Sequence, residues 1–334
     1  MIVVRADRCR ASTYVVRAAV TAPSLYNTQP WIFVADDQDR TIEVHADAAR
    51  RLLDTDPEGR ETVISCGAAL FNIRLAMCHL GFNPVVESFP RPADPAFLAR
   101  VTWGTHRHLV PDDERLFAAL RRRHTVRGPL LAEPFPSSLA DVLRENARGE
   151  GAMLDFITGR AGRRHLAELV RIAEDMRRAR PECSVEQTRW TWRHFEPRSD
   201  GIPADVHVTH PDSSSFAGRD YAGLARSFPT PRQHRQSRTG QVVILSTDRD
   251  DPRAWLRAGE ALQRVLLEAA DQGVMAAFHT QPLEVPFLRA RIRQALSGGA
   301  FPQLILRLGY APRVRPLPRR PVAEVLRAPR TADS

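Results

Sequence analysis

The chain has 334 residues, of which 43% are hydrophobic and 26% are charged, a composition that excludes a disordered, collagenous or disulfide-rich protein. Its net charge of +9 comes entirely from arginine, because the sequence contains no lysine, and 39 acidic residues are interspersed with the basic ones. We therefore expect a solvated surface of mixed charge and no nucleic-acid footprint. No apolar run approaches the ~18 residues of a membrane-spanning helix, so no membrane partner is expected.

The first 110 residues predict helices and strands in alternation. Ser12 can cap a helix that runs to about Ala22, where Pro23 ends it. The next elements, in chain order, are strands at 31–34 and 41–47, a helix over 60–80 that ends at Gly81, and strands near 82–89 and 98–103.

The rest of the chain predicts mainly helices and then a strand–helix–strand unit. In chain order these are helices at 112–123, 137–147, 162–179 and 184–194, a strand at 241–247, a helix at 252–273, a strand at 274–278, a helix at 285–296 and a strand at 303–310. Residues 196–239 lack periodicity, and a loop of that length is usually a lid, a binding loop or disordered. Its three aromatic residues, Phe216, Tyr221 and Phe228, favour a lid.

A weak internal repeat relates two of these helices. The segment GAALFNIRLAMCHLG (67–81) aligns with GEALQRVLLEAADQG (259–273) at an offset of 192, with glycine at both ends of each copy. Pro90 and Pro282 follow at the same distance. Any buried helix with a glycine cap could look like this, but the shared proline and strand order favour a duplicated unit that packs as a pseudo-dimer.

Several familiar catalytic patterns are missing. The sequence has no GxGxxG after a strand, no P-loop, no GxSxG elbow and no HExxH. The four cysteines lie far apart without a CxxC pair, and the histidine pairs at 106/108 and 207/210 are better explained as surface residues than as metal ligands. We therefore expect no metal, and no side chain is assigned as a catalytic acid or base. The N-terminal residues lack the apolar core of a signal peptide, so a cytoplasmic location is expected.

Two segments carry the candidate chemistry. In residues 22–31, APSLYNTQPW, two prolines flank a loop of hydrogen-bonding side chains that could read a flat heteroaromatic ligand, or could satisfy only its own backbone. In residues 121–127, RRRHTVR, clustered cations could bind a phosphate, or could only complement the end of a helix. The residues alone leave both alternatives open.

Together the two segments resemble the nitroreductase family. APSLYNTQPW matches that family's flavin loop, APSxxNxQPW, and RRHTVR resembles its arginine motif for phosphate. The arginine motif comes about 100 residues after the loop, an order that resembles the Acg-type, fused members of actinobacteria. The resemblance covers nearly the whole chain and is weakest in 196–239.

The resemblance implies an α+β, nitroreductase-like fold. Ordinary members are homodimers with FMN at the interface, and here residues 1–110 and 111–334 would form two related halves of an intramolecular pseudo-dimer, with a possible lid at 196–239. Only one half carries each motif, so we expect one FMN per chain and a vestigial mirror site. Whether the chain is a monomer or a homodimer stays open.

The resemblance also implies the cofactor-binding residues. Those for the phosphate and ribityl chain are Arg123, Thr125, Arg127 and Arg319, with Arg320 as a further candidate. Those for the isoalloxazine ring are Pro23, Ser24 and Asn27 on one side and Thr280 and Gln281 near flavin N5 on the other. Thr280 and Gln281 are bulkier than the family's usual residues there.

Three functions compete at this point. The resemblance favours an FMN oxidoreductase that passes hydride from NAD(P)H to a nitroaromatic or quinone-type acceptor. The bulky neighbours of N5 and the long 196–239 segment leave open a silent protein that stores or sequesters FMN. Net charge alone suggests a nucleic-acid binder, for which flavin would be absent and DNA binding salt-dependent.

Overall fold

A computed structural model describes residues 2–128, 130–131, 133–192, 198–203 and 240–329, with side chains from residue 11 onward. The helices are α1 (Ile2–Ala19), α2 (Arg60–His79), α3 (Pro111–Ala119), α4 (Ser137–Gly149), α5 (Arg160–Arg178), α6 (Pro181–Arg189), α7 (Pro252–Asp271), α8 (Pro286–Leu296) and α9 (Val322–Val325). The strands are β1 (Trp31–Asp36), β2 (Thr41–Ala46), β3 (Phe82–Ser88), β4 (Phe97–His106), β5 (Met153–Phe156), β6 (Thr191–Trp192), β7 (Ile202–Pro203), β8 (Gln241–Thr247), β9 (Met275–Phe278), β10 (Phe301–Gly309) and β11 (Leu326–Arg327). The predicted α+β class is confirmed.

The strands form two main sheets. The first has the order β11-β1-β2-β4-β3 and the second the order β5-β8-β10-β9. Neighbouring strands are antiparallel except for β11, which lies parallel to β1 with Phe33 opposite Leu326. The last strand of the chain therefore joins the sheet built by the first residues.

Both sheets follow one connection pattern. Helix α2 connects β2 to β3, and α7 connects β8 to β9, so that β1-β2-β4-β3 and β5-β8-β10-β9 have the same order in space. The helices end alike, because Gly81 and Gly273 follow them with φ of 80° and 74°, a conformation that favours glycine. The repeat seen in the sequence therefore corresponds to two units of equal topology.

The two repeated helices cross at their glycines. A Cβ at Gly67 would lie 2.1 Å from the carbonyl oxygen of Leu256, and a Cβ at Gly259 would lie 2.0 Å from that of Ile64. Ile64 and Leu256 differ by the same offset of 192 as the glycines, so each helix makes the same contact with the other. Only glycine lets the two backbones approach this closely.

Helix α2 lies at the centre of the protein. It is long and apolar enough to cross a membrane by length and composition, but 83% of that apolar window is buried inside the protein. Its buried face joins the main core cluster together with α7 and β1. Asn72 on α2 accepts a hydrogen bond from Gln263 on α7 at 2.8 Å, which satisfies polar groups buried between the helices.

The sequence misplaced some boundaries. The first helix begins at Ile2, so Ser12 does not cap it and its hydroxyl donates to Asp37 Oδ1 at 3.0 Å instead. The helix expected at 184–194 lies at 181–189, with Pro181 in its first turn, where its missing N–H costs nothing. Strands β5 and β11 were not predicted, because both are short and take their stability from neighbouring strands.

Candidate functional site

The loop after α1 holds a strained conformation. Tyr26, Asn27 and Gln29 have φ of 50°, 55° and 50°, in the left-handed region that non-glycine residues rarely occupy. Each such residue costs on the order of 1 kcal/mol or more, so the surrounding structure must hold it in place. Ser24 Oγ contributes by accepting from the backbone N–H of Gln29 at 2.9 Å. Strain held in this way is typical of a functional loop.

A short segment, residues 198–203, lies against this loop and fixes it. The backbone N–H of Gly201 donates to Asn27 O at 3.1 Å, and Asn27 Nδ2 donates back to Gly201 O at 3.0 Å. Gln29 Nε2 donates to Ser199 O at 2.8 Å. Residues 198–203 belong to the predicted lid at 196–239. The rest of that segment, including its three aromatic residues, lies outside the residues that the structure describes.

Two arginines from distant parts of the chain reach the same side of the loop. Arg123 Nη2 donates to the carbonyl oxygen of Thr21 at 3.0 Å, and Arg319 Nη2 donates to that oxygen at 3.3 Å. Arg319 Nη1 also donates to Asn27 Oδ1 at 2.9 Å. The structure thus brings together Asn27, Arg123 and Arg319, which are up to 292 residues apart in sequence.

These two arginines and Arg127 form a cluster of like charges. Burial, reinforced by the charge of Arg127, lowers the pKa of Arg123 to about 10. Burial, reinforced by Arg123 and Arg127, lowers the pKa of Arg319 to about 9. Among the described residues, the Nε atoms of Arg123 and Arg319 are buried without a hydrogen-bond partner. A buried cluster of this kind is costly unless an anion completes it.

A cavity opens between the loop and the second sheet. Its lining residues come from the loop, α2, the arginine segment, α7, β9 and β10: Pro23, Ser24, Leu25, Tyr26, Glu61, Ile64, Ser65, Thr125, Val126, Arg127, Leu262, Ala277, Phe278, His279, Thr280, Leu304 and Arg307. The arginine segment is attached along the edge of β9, where the N–H of Val126 donates to Ala276 O at 2.8 Å. Residues from both sequence motifs therefore face one space.

The predicted site residues divide into two groups by position. Pro23, Ser24, Thr125, Arg127 and Thr280 line the cavity. The other predicted residues do not line it: Asn27, Arg123, Gln281, Arg319 and Arg320. Of these, Asn27 and Gln281 are buried and directly follow the lining residues Tyr26 and Thr280 in sequence. In Gln281 both Nε2 and Oε1 are without a hydrogen-bond partner in the part of the chain that the structure describes.

Arg320 faces a different environment from Arg319. Its backbone N–H donates to Gln29 Oε1 at 2.8 Å, and its guanidinium lies near Asp47, with Nη1 3.7 Å from Oδ2. It also pairs with Glu324 on α9. These contacts tie the C-terminal segment to the back of the loop, so Arg320 supports the loop and does not face the cavity.

Sequence reasoning missed four polar residues of the cavity wall: Glu61, Ser65, His279 and Arg307. Arg307 did carry a signal, because it interrupts an otherwise apolar run, QLILRLGY. A charged residue within a buried strand needs a reason of its own. Glu61 and Ser65 gave none, since they lie one helical turn apart within an ordinary helical pattern.

Comparisons with known proteins identify relatives that match nearly the whole chain. The "putative NAD(P)H nitroreductase Rv3131" of Mycobacterium tuberculosis is 33% identical over 325 residues, which cover 94% of this chain and 90% of the relative. The "putative NAD(P)H nitroreductase acg" of the same organism is 33% identical over 317 residues, covering 93% of each. The chain belongs to the Acg-type, nitroreductase-like family. No protein-family model matches it.

Nitroreductases of known structure are less similar to this chain than these relatives are. The FMN and NADPH-dependent nitroreductase NfnB from Sphigopyxis sp. strain HMH is 22% identical, and the match covers 63% of this chain and 96% of that one. The TM-score is 0.38.

Proposed function

We propose that this protein binds one FMN per chain and acts as an NAD(P)H-dependent oxidoreductase on nitroaromatic or quinone-type acceptors. The observation that carries the proposal is the cluster of Arg123, Arg127 and Arg319 beside the strained loop. Burial and the neighbouring guanidinium groups lower the pKa of Arg123 and of Arg319, so a dianionic phosphate would relieve the repulsion. The family relatives, named as NAD(P)H nitroreductases, support the same function.

The donor set fits the phosphate of FMN. Guanidinium groups bind phosphate through charge-assisted, often bidentate hydrogen bonds, and Nε is one of the donors of that fork. The Nε atoms of Arg123 and Arg319 are buried without partners among the described residues. In our proposal these two residues hold the phosphate with Arg127, and Asn27 fixes the guanidinium of Arg319.

The cavity beside the cluster suits a flat ring. Pro23, Ser24 and Thr280 line it together with apolar side chains such as Ile64 and Leu304. Thr280 Oγ1 is a buried hydroxyl without a partner in the described part of the chain, so it is available to a ring nitrogen or oxygen. A mostly apolar cavity with a few convergent polar groups is typical of cofactor sites.

In the proposed reaction the chain contributes position and electrostatics. FMN, when bound, supplies the hydride chemistry. The strained loop holds Pro23 and Ser24 in place, because the side chains of Asn27 and Gln29 donate to backbone carbonyls of residues 198–203. The N–H of Gly201 donates back to Asn27 O. The arginines would hold the phosphate of the cofactor. No side chain needs to act as acid or base in this scheme.

We further propose that the two topologically equal units are halves of a fused pseudo-dimer, with the boundary near residue 110 and the cofactor between them. The equal strand orders and the reciprocal crossing of Gly67 and Gly259 support this. The loop comes from the first half and Thr280 from the second. A site assembled from both halves explains why the motifs are so far apart in sequence.

The test is the absorption spectrum of protein purified without added flavin, followed by anaerobic addition of NADPH or NADH. We expect a flavin spectrum that bleaches near 450 nm within seconds, and re-oxidation by a nitroaromatic or a quinone. Bound flavin that keeps its colour would instead support the alternative, a silent protein that sequesters FMN. Protein without flavin, and without affinity for added FMN, would refute both.

A further inference from the structure

The last segment of the chain crosses from the second unit to the first. After β10 the chain passes through residues 312–316, which are exposed. Residues 318–327, which we call the C-terminal arm, then lie against the first unit. In the arm, Val325 is fully buried in the main core, and Leu326 pairs with Phe33 on β1. The far end of the arm is therefore anchored in the first unit.

The near end of the arm carries Arg319 and is bonded to the strained loop. Asn27 Nδ2 donates to the carbonyl oxygen of Pro318 at 3.2 Å, and the N–H of Arg320 donates to Gln29 Oε1 at 2.8 Å. Both sequence neighbours of Arg319 are thus held by side chains of the loop. The position of the Arg319 guanidinium therefore depends on how the arm packs against the first unit.

Without an anion, the charge of Arg319 opposes this packing of the arm. Burial and the charges of Arg123 and Arg127 lower the pKa of Arg319 to about 9, so the packed arm holds the guanidinium less favourably than water does. A dianion beside these side chains would reverse the effect, because each guanidinium would then face an opposite charge. Packing of the arm and binding of a phosphate should therefore strengthen each other.

We propose that Val325 and Leu326 are positioning residues for the cofactor: they anchor the C-terminal arm and so place Arg319 at the phosphate of FMN, and the phosphate in turn holds the arm in place. This inference rests on the proposed function. Neither Val325 nor Leu326 is one of the described residues that line the cavity, so both act through Arg319. Detaching the arm should therefore weaken binding of FMN but not of riboflavin, which lacks the phosphate. A general loss of stability would weaken both.

The first measurement titrates apo-protein of arm variants with FMN and with riboflavin. Val325→Asp would bury an unpaired charge in the core, so the arm should detach, and we expect FMN affinity to fall by about tenfold or more. Val325→Ala only weakens the packing of the arm and should lower FMN affinity by about two- to threefold. Riboflavin affinity should stay within about twofold of wild type in both variants, because no bond to a phosphate is lost. Val101→Ala, at an equally buried valine on β4, is the matched control and should bind FMN as wild type does.

The second measurement treats the wild-type chain with trypsin. Trypsin can cut the exposed stretch after Arg313 and the arm after Arg319, and mass spectrometry of the fragments at early times separates the two cuts. Because only a detached arm can be cut after Arg319, we expect saturating FMN to slow that cut by about tenfold. The cut after Arg313 should keep nearly the same rate. Riboflavin should leave both rates unchanged.

Wild-type FMN affinity in both Val325 variants, or equal losses of FMN and riboflavin affinity, would overturn the inference and leave the proposed function standing. If Val325→Asp does not fold, Val325→Ala and the trypsin measurement decide: a cut after Arg319 that FMN does not slow would overturn the inference, and a slowed cut would support it. Wild-type protein that binds no FMN would overturn the proposed function and this inference together.

Discussion

The first turns of α2 and α7 occupy equivalent positions in the two units of equal topology, but they carry different side chains. At the start of α2, Glu61 and Ser65 are buried and line the cavity. The residues 192 positions later on α7, Arg253 and Arg257, are exposed. The two units therefore share their strand order and helix crossing but carry different side chains at these two ends.

The residues at the ends of the equivalent strands β3 and β9 also differ between the two units. Thr280 and Gln281 have Ser88 and Phe89 as their counterparts at the offset of 192. Phe89 packs against the main core, and the guanidinium of Arg253 lies 5.7 Å from its ring centroid. An aromatic side chain and a cation thus occupy the region where the other half presents polar groups. Function in such a fold depends on the side chains added to one of two similar sites.

The largest expected effect tests the part that the two halves share. Gly67→Ala would place a methyl group 2.1 Å from the carbonyl oxygen of Leu256, so the helices must move apart. We expect the free energy of unfolding to fall by about 3 kcal/mol. Urea unfolding measures it. Gly149→Ala is the control, since a Cβ there meets nothing within 4 Å. Equal stabilities of Gly67→Ala and wild type would show that the helices do not cross closely.

The next largest effect tests the arginine cluster, whose motif occurs in only one half of the chain. Arg123→Ala or Arg127→Ala removes a charge-assisted hydrogen bond to a dianion, so we expect FMN affinity to fall by roughly 1.5–3 kcal/mol in each. Riboflavin, which lacks the phosphate, should bind wild-type protein far more weakly than FMN does. Fluorescence titration of apo-protein measures both. Wild-type affinity in both variants would rule out the arginine cluster as the phosphate site.

A third effect concerns an asymmetry at the helix crossing, where α7 carries Glu260 and α2 carries Ala68. Burial is the main cause that raises the pKa of Glu260 to about 7, although Arg74 lies 2.8 Å away. The folded state binds this proton more tightly than the unfolded chain does. The contribution of Glu260 to stability is therefore greatest near pH 4.5 and declines as the pH rises through about 7.

We expect this decline to cost about 1–2 kcal/mol between pH 5 and pH 8 in wild type relative to Glu260→Gln. Glutamine keeps the volume and an acceptor for Arg74 but does not titrate. Urea unfolding of both proteins at the two pH values gives the difference. A stability difference that is constant with pH would show that Glu260 is ionised throughout.

The smallest effect tests the loop itself. Asn27→Asp would place a carboxylate against the guanidinium of Arg319, whose Nη1 lies 2.9 Å from Asn27 Oδ1. Because this carboxylate competes with the phosphate, and because the change also removes the Nδ2 donor to Gly201 O, we expect FMN affinity to fall by about 1 kcal/mol. Asn27→Ala, which adds no charge, is the comparison. Unchanged affinity in Asn27→Asp would place the phosphate away from Arg319.

The sequence predicted the regular elements better than the site. The helices at 60–80 and 252–273 are long, apolar segments that a glycine ends, and the structure confirms both within two residues. Short strands such as β11 depend on a partner far away in sequence, which local patterns do not record. The loop and the arginine segment were found as motifs, but their approach depends on the fold of the whole chain. Arg307 lies on β10 and His279 directly follows the neighbouring strand β9, so their hydrogen-bond pairing required the sheet register.

The central claim is that the chain carries one FMN site, built by the loop and the arginine cluster and absent from the counterpart end. Titration of apo-protein with FMN, followed by flavin fluorescence and calorimetry, tests it directly. We predict saturation at about one flavin per chain in wild type and a loss of tight binding in the Arg123→Ala, Arg127→Ala double variant. Saturation at two flavins per chain, or tight binding that survives in the double variant, would contradict it.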